Sequence, residues 1–235
     1  LGIGWPEEYG GRDVPLLHWV IFEEEYYRAG APGRVSQNGI FLLAPTLFEH
    51  AHPEQLARIM PRIARADDIW GQAWSEPEAG SDLASLRSTA TRTDGGWLLN
   101  GQKTFITNGP DADIIIVYAK LDEGDGADKR NRKVLTFVLE AGMPGLTQGK
   151  AFKKMGMMSS PTGELFFDNV RVGKDRLLGE TEDTGSDSRG GDGAKAGFTA
   201  ERIGIAALSL GIINEAQRLS IDYARSRTLW GQEIE

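Results

Sequence analysis

The stretch Trp70–Asp82, WGQAWSEPEAGSD, gathers two hydroxyls, Ser75 and Ser81, and a glycine, Gly80, into a short connection after an apolar run. Glycine permits close approach of a backbone to a ligand, and exposed amides in such a turn can bind a pyrophosphate. The same residues also suit a plain hairpin connection, and local chemistry leaves the two readings level. Other motif-like runs fail on context. Gly191, Gly193 and Gly197 follow polar residues rather than the apolar strand that a dinucleotide fingerprint needs. Gly149-Lys150 has the ending of a P-loop, but Ala151 replaces the hydroxyl residue and Pro144 stands at the first glycine. His50 and His52 alternate across a helix start with no third ligand nearby in sequence, so they read as surface or capping histidines and no metal is expected. With no cysteine, disulfides, iron–sulfur clusters and thiol catalysis are excluded. Redox chemistry would need a bound organic cofactor or a metal.

Three kinds of element must position these residues. Residues 1–68 read as helical: Pro53 suits a first-turn position, and Leu56, Ile59, Met60 and Ile63 then mark one face. His18, between Leu17 and Trp19, reads as a packed helix residue. From about Ile69 the period becomes that of strands, with runs at Arg87–Thr93, Trp97–Leu99, Ile114–Tyr118, Val134–Leu139 and Leu165–Val172, which suggest a small barrel or sandwich over 69–172. Ile114–Tyr118 is continuously apolar, as a strand buried on both faces would be. Residues 173–197 read as a linker, almost free of large apolar side chains from 180 onward. A helix over 198–235 then carries Ile203, Ala206, Ala207, Leu210, Ile213 and Asn214 on one stripe, apolar enough for a bundle core. Leu1 in place of Met and a stop at Glu235 in a charged turn read as a chain cut at both ends.

The chain has 235 residues and a formal net charge of -8, which argues against nucleic-acid binding, since neutralising phosphates needs clustered Lys and Arg. No stretch approaches the roughly 18 apolar residues of a membrane span, so the chain reads as soluble. The run Lys129-Arg130-Asn131-Arg132-Lys133 is a local exception. Taken alone it is a solvated loop.

Ser75-Glu76-Pro77-Glu78-Ala79-Gly80-Ser81-Asp82 resembles the signature of the acyl-CoA dehydrogenase family: Thr or Ser, Glu-Pro, any residue, then Ala-Gly-Ser-Asp. Asn100-Gly101-Gln102-Lys103 with Phe105-Ile106-Thr107-Asn108-Gly109 resembles that family's next block. Trp5–Gly11, Met155-Gly156, Phe167–Val172 and Glu201–Ala206 follow in the family's order, so nearly the whole chain is covered. The resemblance implies an α+β multidomain fold, with an N-terminal helical domain, a central β-barrel and the start of a C-terminal helical bundle, and FAD as cofactor.

By the same resemblance, Gln72, Trp74, Ser75, Gly80, Ser81, Phe105, Ile106 and Thr107 contact FAD, with Thr107 near the flavin N5 edge. Arg227 matches an arginine that reaches the FAD of a partner subunit, while Leu229 stands where many members have Thr. The implied reaction is α,β-dehydrogenation of an acyl-CoA thioester, with Ser81, Arg130, Arg132 and Arg202 holding substrate. Such a reaction needs a base for the α-proton, a polarised carbonyl and a hydride acceptor. In most members of the family the base comes from the last third of the chain, beyond this sequence, whereas Glu201 matches the base position of the isovaleryl and long-chain subgroups; as a helix acid beside Thr199 it reads equally well as an N-terminal charge favoured by the dipole. The resemblance further implies an electron-transfer flavoprotein as acceptor, a homodimer or homotetramer, a role in fatty-acid β-oxidation, and a bacterial cytoplasmic or mitochondrial matrix location. Acyl-CoA oxidase, flavin monooxygenase and an inactive subunit are the alternatives on the same scaffold.

Overall fold

The computed structural model describes residues 2–124, 132–183 and 192–234, with side chains described throughout except over 192–200. Two compact units emerge, Leu1–Gly190 and Gly191–Glu235. In the first, α1 (Leu16–Arg28), α2 (Ala44–His50) and α3 (Pro53–Arg65) precede seven strands. These are β1 (Trp70–Ala73), β2 (Thr89–Thr93), β3 (Gly96–Thr107), β4 (Ile114–Asp122), β5 (Val134–Glu140), β6 (Leu146–Gln148) and β7 (Thr162–Val172). They form one mixed sheet in the order β1-β4-β2-β3-β7-β6, with β5 paired to β4. The β1–β4 and β2–β4 pairings are parallel and the others antiparallel.

The sheet curls around an interior of Ala73, Leu99, Ile106, Ile115, Val117, Phe137, Leu139, Leu165 and Val170. Its other face packs on the helices through Trp70, Ile116, Tyr118 and Val138, which share a second core with Trp5, Ile40, Leu47, Met60 and Ile63. Alternation explains both cores: odd residues of β4 face inward and even ones face the helices, so the strand is continuously apolar over 114–119. α3 behaves as its period requires, with Leu56, Ile59, Met60 and Ile63 all buried. Each such burial contributes about 1.5–3 kcal/mol. By contrast α1 buries none of its residues, His18 included, so the packed environment expected for that histidine is absent from this unit. The boundary near residue 68 is a change of backbone period rather than of core, because the helices and the sheet share one.

Gln55 fastens the segment that leaves the sheet. Its side chain is buried and uses all its valences: Nε2 donates to the Asp175 and Leu177 carbonyls at 3.0 and 2.8 Å, and Oε1 accepts from Gly179 N and His52 N, each at 3.0 Å. Gly179 is held at φ 75°, where an added Cβ would lie 2.6 Å from the His50 carbonyl. Gln55→Leu, which strands these backbone groups, is expected to destabilise the unit by about 2–4 kcal/mol and to speed amide exchange over 174–180. Urea unfolding and hydrogen exchange check it; unchanged exchange there would refute the staple.

The second unit holds α4 (Asp192–Ser226) and a two-stranded hairpin, β8 (Thr228–Leu229) and β9 (Gln232–Glu233). The helix begins six residues earlier than the sequence suggested, inside the segment assigned to the linker. Ala194, Lys195 and Ala196 are good helix formers, which the glycine content of that segment obscured. Residues 184–191 of that linker lie outside the described residues. No described helix is long and apolar enough to cross a membrane.

Candidate functional site

β1 delivers the chain to the conspicuous turn. Gln72 and Trp74 point to the same side, where Gln72 Nε2 donates to the Tyr118 hydroxyl at 3.2 Å and the Trp74 ring stacks on Tyr118, centroids 3.4 Å apart. The turn itself is tight. Glu76 and Ala79 exchange backbone hydrogen bonds of 2.9 and 3.1 Å around Pro77-Glu78. Beyond it Gly80, Ser81 and Asp82 are exposed. Gly80 has no left-handed φ, and a Cβ there would meet nothing within 4 Å. The fold of this chain gives that glycine no task, so its backbone is free for close approach from outside.

Two buried lysines tie this loop to the sheet. Lys103 on β3, with no exposed surface, donates from Nζ to the Glu76 carboxylate at 2.8 Å and the Trp74 carbonyl at 3.0 Å. Glu76 also accepts from the amides of Arg87 and Ser88. At the loop's far end Lys120 Nζ donates to the Ala84 carbonyl at 2.6 Å. Burial alone would raise the Glu76 carboxyl, but the Lys103 ammonium and these hydrogen bonds outweigh it and hold the group below the usual carboxylate range. Burial also pulls Lys103 down, with Glu76 opposing.

β3 then breaks its own alternation. Its register with β7 shifts between Lys103 and Ile106, and Phe105 takes φ 57°, a conformation rare for a bulky residue. The bulge throws the ring outward, 71% exposed, with Phe152 edge-on at 5.7 Å. Thr104 N donates to the Ser75 carbonyl at 2.9 Å, so the Ser75 and Phe105 segments lie side by side. Thr107, at the end of the strand, is exposed. Ile106 faces the interior of the sheet, so it can offer a ligand its backbone but not its side chain. Asn108 closes the segment. Also left-handed, at φ 61°, it donates from Nδ2 to the Val35 and Trp70 carbonyls at 3.0 and 3.1 Å, and its backbone N–H reaches Pro161.

The remaining candidates stand apart. Arg130 lies outside the described residues, as does most of the basic run. Arg132 donates to Glu123 at 2.6 Å, so its charge is already partnered. Glu201 and Arg202 lie on α4, more than two turns beyond Asp192, where the helix dipole no longer acts. The reading of Glu201 as a first-turn charge therefore fails. Arg227 is exposed, its backbone closing the base of the β8–β9 hairpin, and Trp230 at the tip is 98% exposed. His52 does cap a helix, accepting from the Glu54 amide at 3.4 Å. Folding brings two carboxylates, Glu54 and Glu180, close to it, a grouping invisible in the sequence.

Glu76, Lys103 and Asn108 stand inside the two signature blocks and Tyr118 ends an apolar run, but the sequence assigns none of them a role. A signal existed for one of them: a lysine flanked by strand residues at a position that alternation places inside.

Comparison with known proteins covers both parts of the first unit. Residues 1–67 match the family model described as acyl-CoA dehydrogenase, N-terminal domain, and residues 71–170 that of the acyl-CoA dehydrogenase middle domain. A mitochondrial 2-methylacyl-CoA dehydrogenase of Solanum tuberosum is 36% identical over 99% of this chain and 54% of its own. A mitochondrial isovaleryl-CoA dehydrogenase of Oryza sativa subsp. japonica is 33% identical over 99% and 55%. The crystal structure of an acyl-CoA dehydrogenase from Geobacillus kaustophilus superposes with TM-score 0.84 at 30% identity, covering all of this chain and 60% of that one. The chain thus spans about half the length of the curated relatives it matches.

Proposed function

The chain belongs to the acyl-CoA dehydrogenase family, and from that premise we propose that it is the flavin-facing part of an FAD-dependent enzyme that desaturates an acyl-CoA thioester between Cα and Cβ. One observation carries the reading. A loop clamped at both ends presents an unencumbered Gly80 and the Ser81 hydroxyl, and the adjoining strand spends a left-handed bulge to expose Phe105. Such strain persists where surrounding structure enforces it, as at ligand sites.

The donor set fits a flavin. The ring of Phe105 and the side chain of Thr107 offer an apolar face and a hydroxyl at one edge of the sheet. Backbone amides around Gly80 and Ser81 suit phosphate oxygens, and Gln72, Trp74, Ser75 and Ile106 would frame the same cofactor, Ile106 through its backbone. Arg227 would pair with the pyrophosphate of a partner subunit's FAD, which requires at least a dimer. FAD, when bound, supplies the acceptor for the β-hydride.

This chain's own residues do the rest. The Glu201 carboxylate removes the α-proton, and Ser81, Arg130, Arg132 and Arg202 hold the anionic CoA moiety. For Arg132 this means sharing or exchanging Glu123, since phosphate offers the guanidinium a bidentate alternative. Transfer onward to an electron-transfer flavoprotein and a place in β-oxidation complete the proposal.

The test is direct. Apoenzyme containing this chain should turn yellow with FAD, and an acyl-CoA added without oxygen should bleach it. An enzyme that takes up no FAD would end the reading. Gly80→Val sharpens it: stability should stay within about 0.5 kcal/mol because the Cβ meets open space, while FAD affinity falls at least ~10-fold. Equal affinity in that variant, measured by flavin fluorescence titration, would move the cofactor away from the turn.

A further inference from the structure

Lys103 and Glu76 form a salt bridge with side chains 0% and 5% exposed. A buried ion pair is a poor source of stability, because desolvation of both charges offsets their attraction, and apolar replacements are often neutral or better. The pair is nevertheless joined to much else. Lys103 Nζ also holds the Trp74 carbonyl, and Glu76 also holds the amides of Arg87 and Ser88. It therefore connects three stretches: the end of β1, the return of the loop into β2, and β3 two residues before the Phe105 bulge.

We propose that Lys103 and Glu76 are positioning residues that set the spacing between the Ser75–Ser81 turn and the Phe105–Thr107 segment, and so shape the flavin site without touching the reacting atoms. The inference rests on the flavin reading above and deepens it. The geometry favours the role over simple packing. An aliphatic pair could fill the same volume, but it could not hold the Trp74 carbonyl and the Arg87 and Ser88 amides at once. Charge-assisted bonds are short and directional, so they fix a loop to a fraction of an ångström where apolar contact would allow it to slide. The Ser75 carbonyl to Thr104 N bond, at 2.9 Å, lies beside the pair and depends on the same alignment.

The test uses full-length enzyme carrying Glu76→Gln together with Lys103→Met, which removes both charges and keeps the volume, while the glutamine oxygen still accepts from one of the two amides. The expected result is a folded protein whose thermal midpoint falls modestly, because the Trp74 carbonyl and one amide lose their partners. FAD should bind at least ~10-fold more weakly, its visible absorption bands should shift, and kcat should fall more than KM changes. A purely structural pair would lower the midpoint alone and leave FAD affinity, the spectrum and the kcat-to-KM pattern of the folded fraction unmoved. Should the double variant fail to fold, Glu76→Asp carries the same readouts, because it keeps the charge and both acceptor oxygens but shortens their reach by one methylene. Wild-type FAD affinity and spectrum in a folded variant overturn the positioning role alone. A wild-type enzyme without FAD uptake overturns it together with the flavin reading.

Discussion

Glu201→Gln is expected to lower turnover at least ~10²-fold while leaving FAD affinity and the KM for the thioester nearly unchanged. Glutamine keeps the size and hydrogen-bonding reach of the side chain but cannot accept a proton, so the loss falls on the chemical step. The proposal for this residue rests on a resemblance, with one competing account removed. α4 starts at Asp192, which removes the dipole explanation for an acid at 201. The relatives also include an isovaleryl-CoA dehydrogenase matched over nearly the whole chain, and Glu201 resembles the base position of that subgroup. Single-turnover reduction of bound flavin is the measurement, since it isolates proton and hydride removal from product release. Near-normal reduction in the variant would mean that another carboxylate is the base.

Asn108→Leu should destabilise the first unit by about 3 kcal/mol or more. Asn108 is buried and left-handed, and it satisfies two carbonyls from different parts of the chain. Leucine would strand both acceptors at about 1–3 kcal/mol each and pay the strain of a positive φ that asparagine tolerates better. Thr107 and Phe105 lie just upstream, so on the proposed flavin reading FAD affinity should fall as well. Thermal unfolding measures the first effect and FAD titration the second. A variant of wild-type stability would show that the two carbonyls find other donors.

The elements were largely legible in the sequence, because periodicity records which face is buried. α3 and β4 show it: Pro53 and the 56/59/60/63 stripe define the helix, and the continuous apolar run over 114–118 reflects two cores on either side of one strand. β6 was missed because three residues carry no period, and the start of α4 because glycine-rich composition masked helix formers. The site was legible only where a motif carried it. Ser75, Gly80, Ser81, Phe105 and Thr107 sit in the two signature blocks. Glu76, Lys103 and Asn108 sit in the same two blocks, but no local pattern encodes what each of them holds, 11 to 73 residues away. Ile106 shows the opposite failure: the motif names it, yet strand alternation turns its side chain inward.

The shared core of helices and sheet bears on how such proteins change over evolutionary time. Family models divide the chain at residues 67 and 71, where a crossover between two relatives would look harmless. Yet Trp70, Ile116, Tyr118 and Val138 on one side of that seam interlock with Trp5, Leu47, Met60 and Ile63 on the other. A hybrid joined at the seam inherits two half-interfaces shaped by different histories, and close-packed interiors tolerate such mismatches poorly. The unit that drifts as one is therefore the physical core, and substitutions on the outer face of β4 should be accompanied in descent by compensating ones on α2 and α3.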